Sequence, residues 1–200
     1  MNAFKFFVEG IKRFKSVGAI ARSSKFVART MCKYVDFSTA KCLVEFGAGD
    51  GPITKELLAQ MSPDAKLLCF EINEELLKSL HEQFDHDPRI TIIEDDAAKV
   101  GEYIKAAGFD YADHVLSAIP FVIIPDDTII IEAKKHTRMG GKYVQLQYST
   151  AARKRYHRIF GNTEIDFVMR NIPPAFIHIC EKRDELDQTL PNEAKNKKQK

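Results

Sequence analysis

Two acids and three glycines in the first half of the chain carry its clearest chemical pattern. Cys42 to Thr54 reads Cys-Leu-Val-Glu-Phe-Gly-Ala-Gly-Asp-Gly-Pro-Ile-Thr, so Glu45 follows a short apolar run and glycines stand at 47, 49 and 51. A buried strand that breaks into a glycine turn and then a helix is how α/β folds build a nucleotide pocket. Glycine has no Cβ, so a ligand can lie close against the main chain. The spacing is Gly-x-Gly-x-Gly, and an acid at the strand end would repel a pyrophosphate. It suits a ligand that is cationic or bears hydroxyls. A glycine-rich turn without a ligand would show the same glycines, but a second acid weighs against it. Glu71 ends the next apolar run, Leu67-Leu68-Cys69-Phe70, twenty residues past Gly51. That is the interval at which an acid grips ribose hydroxyls.

With both acids in place, the pattern resembles motif I and its following acid in Rossmann-like S-adenosylmethionine-dependent methyltransferases. The resemblance implies S-adenosylmethionine as cofactor, with Glu45, Gly47, Ala48, Gly49 and Gly51 at its methionine end and Glu71 and Ile72 at its ribose. The third apolar run ends in Glu94-Asp95-Asp96-Ala97. Asp96 and Ala97 are the candidates beside the adenine, although a helix cap with solvated charges accounts for the same residues. No metal is expected.

The fourth run ends in Leu116-Ser117-Ala118-Ile119-Pro120-Phe121. Methyltransferases of adenine or amide nitrogens resemble one another in carrying Asn/Asp-Pro-Pro-Tyr or Asn-Leu-Pro-Tyr here, where the amide holds a planar nitrogen and the aromatic stacks on the base. This chain has Ser117 for the amide, and Phe121 where the tyrosine would sit. A primary aliphatic amine needs no planar clamp; it must lose a proton and reach the methyl group. Ser117 is therefore expected to border both the cofactor and the reacting amine.

Four segments in order, Val17 to Ser24, the glycine motif, Ser117-Ala-Ile-Pro120 and Arg170-Asn-Ile-Pro-Pro-Ala175, together resemble the bacterial phospholipid N-methyltransferase family. That family methylates phosphatidylethanolamine stepwise and includes enzymes acting on ornithine lipids. The likeness runs from about Phe4 to Glu181. It implies a membrane-lipid amine as substrate, met by Arg22, Ser23, Ser24 and Pro120, with no nucleic acid as partner. Arg22 departs from the family, which has proline there; an arginine suits a lipid phosphate. Tyr148 and Ser117 are the catalytic candidates. A tyrosine at the end of the fifth strand could relay the amine's proton and offer an aromatic face to a methylated cation; a tyrosine packed at a strand end would read the same. His157 and His114 are weaker choices, one in a basic stretch and one inside a strand.

These residues need a scaffold that brings strand ends together. From Lys41 the chain alternates strands (about 41–46, 66–71, 90–94, 112–118 and 142–148) with helices (about 52–61, 73–84, 97–106 and 126–137). The expected fold is α/β: a Rossmann-like, seven-stranded, mostly parallel sheet with helices on both faces, plus N-terminal helices. Gly140-Gly141 reads as the stop of the last helix. Residues 165–170 and 175–181 read as two late strands. Residues 36–182 form the cofactor-binding domain on this reading, and the lysine-rich tail 183–200 is disordered.

Charge is unevenly spread along the 200 residues. Residues 1–33 carry a net +7, residues 34–180 a net −6 and the tail +1. No apolar stretch reaches the roughly eighteen residues of a spanning helix. The four cysteines have no paired spacing and read as reduced thiols of a cytoplasmic protein. Phe4, Phe7, Val8, Ile11 and Phe14 recur at helical spacing, with Lys12 and Arg13 on the other side. Residues 1–35 are thus expected to form amphipathic helices that cap the substrate and rest on the anionic inner face of the cell membrane. A helix docked on its own domain fits the pattern equally. A basic N-terminal arm also keeps open an RNA methyltransferase resembling the rRNA adenine dimethylases.

Overall fold

The computed structural model describes residues 24–121, 124 and 126–184. Seven strands, β1 (Cys42–Phe46), β2 (Lys66–Phe70), β3 (Ile90–Ile93), β4 (Ala112–Ser117), β5 (Thr137–Gln147), β6 (Glu164–Val168) and β7 (Ala175–Glu181), form one sheet. Its order is β3-β2-β1-β4-β5-β7-β6. The first five strands are parallel, and β7 runs antiparallel to both β5 and β6. This is the Rossmann-like α/β architecture expected from sequence. Strand order reverses between β1 and β4, and in open α/β sheets ligands bind outside the carboxyl ends of the strands at such a point.

Among the described residues six α-helices cover the two faces: α1 (Lys25–Cys32), α2 (Pro52–Gln60), α3 (Glu74–Phe84), α4 (Val100–Ala106), α5 (Thr128–His136) and α6 (Arg153–Phe160). Side chains of α1, α2 and α3 pack with Leu43, Leu67, Leu116 and Val144 on one face. Those of α4, α5 and α6 pack with Val44, Phe46, Val115 and Tyr143 on the other. Successive strand residues point to opposite faces, so a strand covered on both sides must be apolar throughout. All five residues of β1 are buried. The exception in polarity is Glu45, which shares the α1–α2 side with Leu43.

Sequence and structure part in three places. Gly140-Gly141 does not stop a helix. α5 ends at His136, and the glycines lie inside β5, where the pairing with β4 slips between Ala112 and His114. Gly140 takes φ 72°, and a Cβ at Gly141 would collide with the Asp113 carbonyl. The pair therefore forms an irregularity that lets two backbones approach. The basic stretch after β5 is a helix, α6, anchored by buried Tyr156 and Phe160. The strand expected at 165–170 ends at Val168, and β7 inserts between it and β5. At the other end of the described chain, Ser24 caps α1, its hydroxyl accepting from the Val27 N–H at 3.4 Å. Val27 and Met31 of α1 are fully buried.

Candidate cofactor and substrate site

The glycine loop leaves the carboxyl end of β1 and is stitched to β2, the Gly47 and Ala48 N–H groups both donating to the Phe70 carbonyl at 2.8 and 3.2 Å. Two of its glycines are required for different reasons. Gly51, with φ 84°, starts α2 against α3, where an added Cβ would lie 2.5 Å from the Phe84 ring. Gly49, with φ 65°, faces open space: a Cβ there would meet nothing within 4 Å. Gly51 closes the packing of two helices, whereas Gly49 exposes bare backbone at the strand ends, where a ligand can approach.

Glu71 buckles this loop to β2. One carboxylate oxygen accepts from the Gly49 N–H at 2.8 Å, the other from Ile72 and Asn73 N–H at 2.8 and 3.0 Å. Among the described residues the oxygen facing Gly49 takes only this one bond, so lone-pair capacity remains for a hydroxyl donor. Glu45 lies deeper and is fully buried. One of its oxygens accepts the Thr54 hydroxyl at 2.7 Å; the other is buried with no hydrogen-bond partner among the described residues. Burial raises its carboxyl to about 7, with the Glu71 charge adding to the rise and the Thr54 bond opposing it. A buried acid with one unsatisfied oxygen beneath an open glycine cradle suits a ligand that brings a cation.

At the end of β3, Asp96 accepts from the Ala98 N–H at 2.9 Å and so caps a 3-10 turn, Ala97–Lys99. Its neighbour Asp95 accepts from Lys99 and from the Tyr103 hydroxyl at 2.8 Å. Ala97 is buried on the α4–α5 side.

The segment after β4 differs from its sequence reading. The Ser117 side chain is fully buried, its hydroxyl accepting from the Ile119 N–H at 3.3 Å. Gln145 donates to the Ile119 carbonyl at 2.9 Å and accepts from the Tyr143 hydroxyl. Ser117 thus shapes the turn from within the α4–α6 face, fully buried where the sequence reading has it bordering the cofactor and the amine. Phe121 is 1% exposed, and the Arg155 guanidinium lies 5.4 Å from its ring centre. Its ring is enclosed within the fold. Arg155 also donates to the Phe121 and Ile124 carbonyls at 2.8 and 2.6 Å, to the Asp126 carbonyl, and to the Asp127 carboxylate. One side chain of α6 therefore holds Phe121, Ile124, Asp126 and Asp127 of the segment that follows β4, and Pro120 before them is half-buried.

Tyr148 directly follows β5 and is half-buried against the α1–α2 cluster. His157 is exposed on α6. His114 sits at the far edge of the sheet, its ring nitrogens 3.2 Å from the Asp36 and Lys142 N–H groups, and burial depresses it to about 4. Neither histidine is at the strand ends that bear the glycine loop. Ser24 is brought to the Arg170–Ala175 segment by Asn171, which is 3% exposed. Its carboxamide accepts from the Ser24 N–H at 3.1 Å and donates to the Pro173 carbonyl at 2.7 Å. Two segments 147 residues apart in sequence thus form one rim. Arg22, Ser23 and the apolar positions Phe4, Phe7, Val8, Ile11 and Phe14, with Lys12 and Arg13, lie outside the described residues. Among those that are described, no acid, histidine or cysteine cluster could hold a metal, and no helix is long and apolar enough to cross a membrane.

Residues 21–123, which span the glycine loop, both acids and the turn after β4, match the family model described as ribosomal RNA adenine dimethylase. The chain belongs to that family. Its fold and cofactor follow: it is a class I methyltransferase that uses S-adenosylmethionine. Among individual relatives, an ornithine lipid N-methyltransferase of Singulisphaera acidiphila is 27% identical over 182 residues, 88% of this chain and 94% of that one. A ribosomal RNA small subunit methyltransferase A of Synechococcus is 33% identical, over 41% of this chain and 28% of its own length. A crystal structure of an rRNA methylase from Streptococcus thermophilus superposes with a TM-score of 0.60 at 16% identity, covering 82% of this chain and 99% of that one. The residues present fit the cofactor of this dimethylase-family fold: an open cradle at Gly49, spare acceptor capacity on Glu71 and an unpartnered oxygen on Glu45.

Proposed function

We propose that the protein is an S-adenosylmethionine-dependent N-methyltransferase of a membrane lipid, acting on the amine head group of phosphatidylethanolamine, its methylated forms or an ornithine lipid. The observation that carries this reading is the turn after β4. Its serine side chain is fully buried and its phenylalanine is buried beneath Arg155, so it presents neither an amide to clamp a planar nitrogen nor a ring to stack on a base. The ornithine lipid relative, matched over nearly its whole length, supports the same reading.

On this reading Glu45, Gly47, Ala48, Gly49 and Gly51 hold the methionine end of the cofactor, Glu71 and Ile72 its ribose, and Asp96 with Ala97 its adenine. The bound cofactor supplies a methyl group on a sulfonium. Displacement asks little covalent work of the protein, so its residues serve to position the amine and to free its lone pair. Desolvation near the half-buried Tyr148 lowers the pKa of the substrate ammonium, and the Tyr148 hydroxyl passes the proton outward. Arg22, Ser23, Ser24 and Pro120 meet the head group, and residues 1–15 rest on the inner face of the cell membrane.

The family model itself favours a second reading, methylation of adenine in ribosomal RNA. One experiment separates the two. The protein is incubated with methyl-labelled S-adenosylmethionine and, in parallel, with total bacterial lipid or unmodified small-subunit rRNA. Label on a lipid amine is the expected result; label on rRNA adenine with none in lipid would overturn the proposal.

A further inference from the structure

The turn between β6 and β7 carries side chains that the cofactor site does not use. Ile172 is 92% exposed, Met169 75% and Phe167 48%. Phe167 is braced by Phe176, their ring centres 5.1 Å apart. Contiguous apolar side chains presented outward in this way mark an interaction surface. Val168 pairs with Ala175, and Gln147 at the carboxyl end of β5 pairs with Phe176. The apolar tips therefore project from the same edge of the sheet as the glycine loop, beside Tyr148.

The charge around these tips is mainly basic, the adjacent acid Asp166 being engaged by the Tyr34 hydroxyl and the Phe167 N–H. From Phe167 to Phe176 there is one arginine and no acid, and from Ser24 to Val35 there are Lys25, Arg29 and Lys33 and again no acid. The two stretches are joined by the Asn171 bond to Ser24. Lys25 and Arg170 converge on one ring, 5.6 and 5.4 Å from the centre of Phe26. No ion pair ties either cation to an acid of the described residues. Residues 1–23, which carry five basic residues and one acid, lead directly to Ser24 on this rim. Apolar tips with the cations Lys25 and Arg170 beside them are complementary to a layer whose surface is anionic and whose interior is hydrocarbon.

We propose that Phe167, Met169 and Ile172 form a wedge that enters an anionic lipid bilayer, with Lys25 and Arg170 at the phosphate level. This rests on the lipid reading above and adds to it a docking orientation: the cofactor edge faces the membrane, and the amine head group reaches Tyr148 without leaving the bilayer.

The chain has no tryptophan, so a single one placed at the wedge is a clean reporter. In full-length Ile172→Trp, emission should shift to the blue on adding phosphatidylglycerol vesicles, and dibrominated acyl chains should quench it. Met169→Glu combined with Ile172→Glu, both at exposed positions, should lower co-sedimentation with these vesicles at least tenfold while S-adenosylmethionine affinity stays within twofold. If vesicles bind the glutamate variant as well as the parent, the wedge is wrong while the lipid reading stands. If the Ile172→Trp reporter already emits in the blue before lipid is added, and brominated chains do not quench it, residues 1–23 or a second copy cover the patch, which overturns the wedge. If the parent binds rRNA but no vesicle, both the wedge and the lipid reading fall.

Discussion

Glu71 shows how one side chain serves loop and ligand at once. It holds three backbone N–H groups, one from the glycine loop and two from the start of the next segment. Glu71→Ala therefore removes the ligand's acceptor and unbuckles the cradle. Bonds to a charged group are worth about 1.5–3 kcal/mol each, so S-adenosylmethionine affinity should fall at least tenfold, as read by calorimetry; unchanged binding would refute the assignment. Glu45 gives a pH signature. The folded protein keeps its proton up to about pH 7, whereas an unfolded chain releases it near 4.5. Its stabilising effect is whole below 4.5, declines across that window and is gone once pH passes about 7. The loss is at most about 3 kcal/mol and should vanish in Glu45→Gln, measured by urea unfolding of the ligand-free protein from pH 4 to 8. At this scale residue types were legible in the sequence, but not directions. Ser117 and Phe121 stand where a substrate clamp would be read. Their side chains are turned inward by Gln145, Tyr143 and Arg155, partners far along the chain that no local pattern announces.

α6 is the element least visible beforehand. Its run Arg-Lys-Arg-Tyr-His-Arg-Ile-Phe is dominated by charge, with Tyr156 and Phe160, four apart, fully buried and Ile159 partly buried against the same cluster. Arg155 on this helix organises the turn after β4, binding three carbonyls and a carboxylate. Lysine cannot reproduce that fork. Arg155→Lys should slow methyl transfer by tenfold or more and cost about 2–4 kcal/mol of stability. S-adenosylmethionine affinity should stay within about twofold, because the Arg155 hydrogen bonds go to residues 121–127 and not to the glycine loop. An equal loss of binding and turnover in steady-state and calorimetric measurements would mean that Arg155 supports the whole sheet edge. The glycine pair at 140–141 shows a second kind of ambiguity. Glycine after a helix reads as a cap, but the same residues serve where Gly141 has no room for a side chain beside Asp113.

For the molecule as a whole, alternation of strand and helix was enough to foresee a parallel α/β sheet, because β1, β2 and β3 each come from a short, mostly apolar run. What alternation does not encode is where the last strand goes, since β7 is placed by long-range pairing with β5 and β6. The docking surface was likewise half visible. The basic, aromatic head of the chain stands out in sequence, whereas Met169 and Ile172 become a surface only once the β6–β7 turn is placed at the cofactor edge. If both contribute, binding combines apolar burial with cation–phosphate attraction. Turnover on vesicles containing phosphatidylglycerol should then fall as salt rises from about 0.05 to 0.5 M, where exposed charges are screened over a few ångströms. S-adenosylmethionine affinity measured in the same buffers should hold. Salt-independent turnover on vesicles would rule out an electrostatic share.

The position of β7 also sets a schedule for synthesis. A chain emerging from the ribosome presents β1 to β5, both acids and the glycine loop well before residue 175, so the cofactor half can assemble first. β6 has no place in the sheet until β7 arrives, because it pairs with β7 alone. The turn bearing Met169 and Ile172, and the Asn171 carboxamide that anchors Ser24, take their final positions only with the last strand. On the docking proposed above, attachment to lipid is thereby the final property the molecule acquires. A nascent chain stalled before residue 175 can have a formed glycine loop, yet it has no rim on which to land.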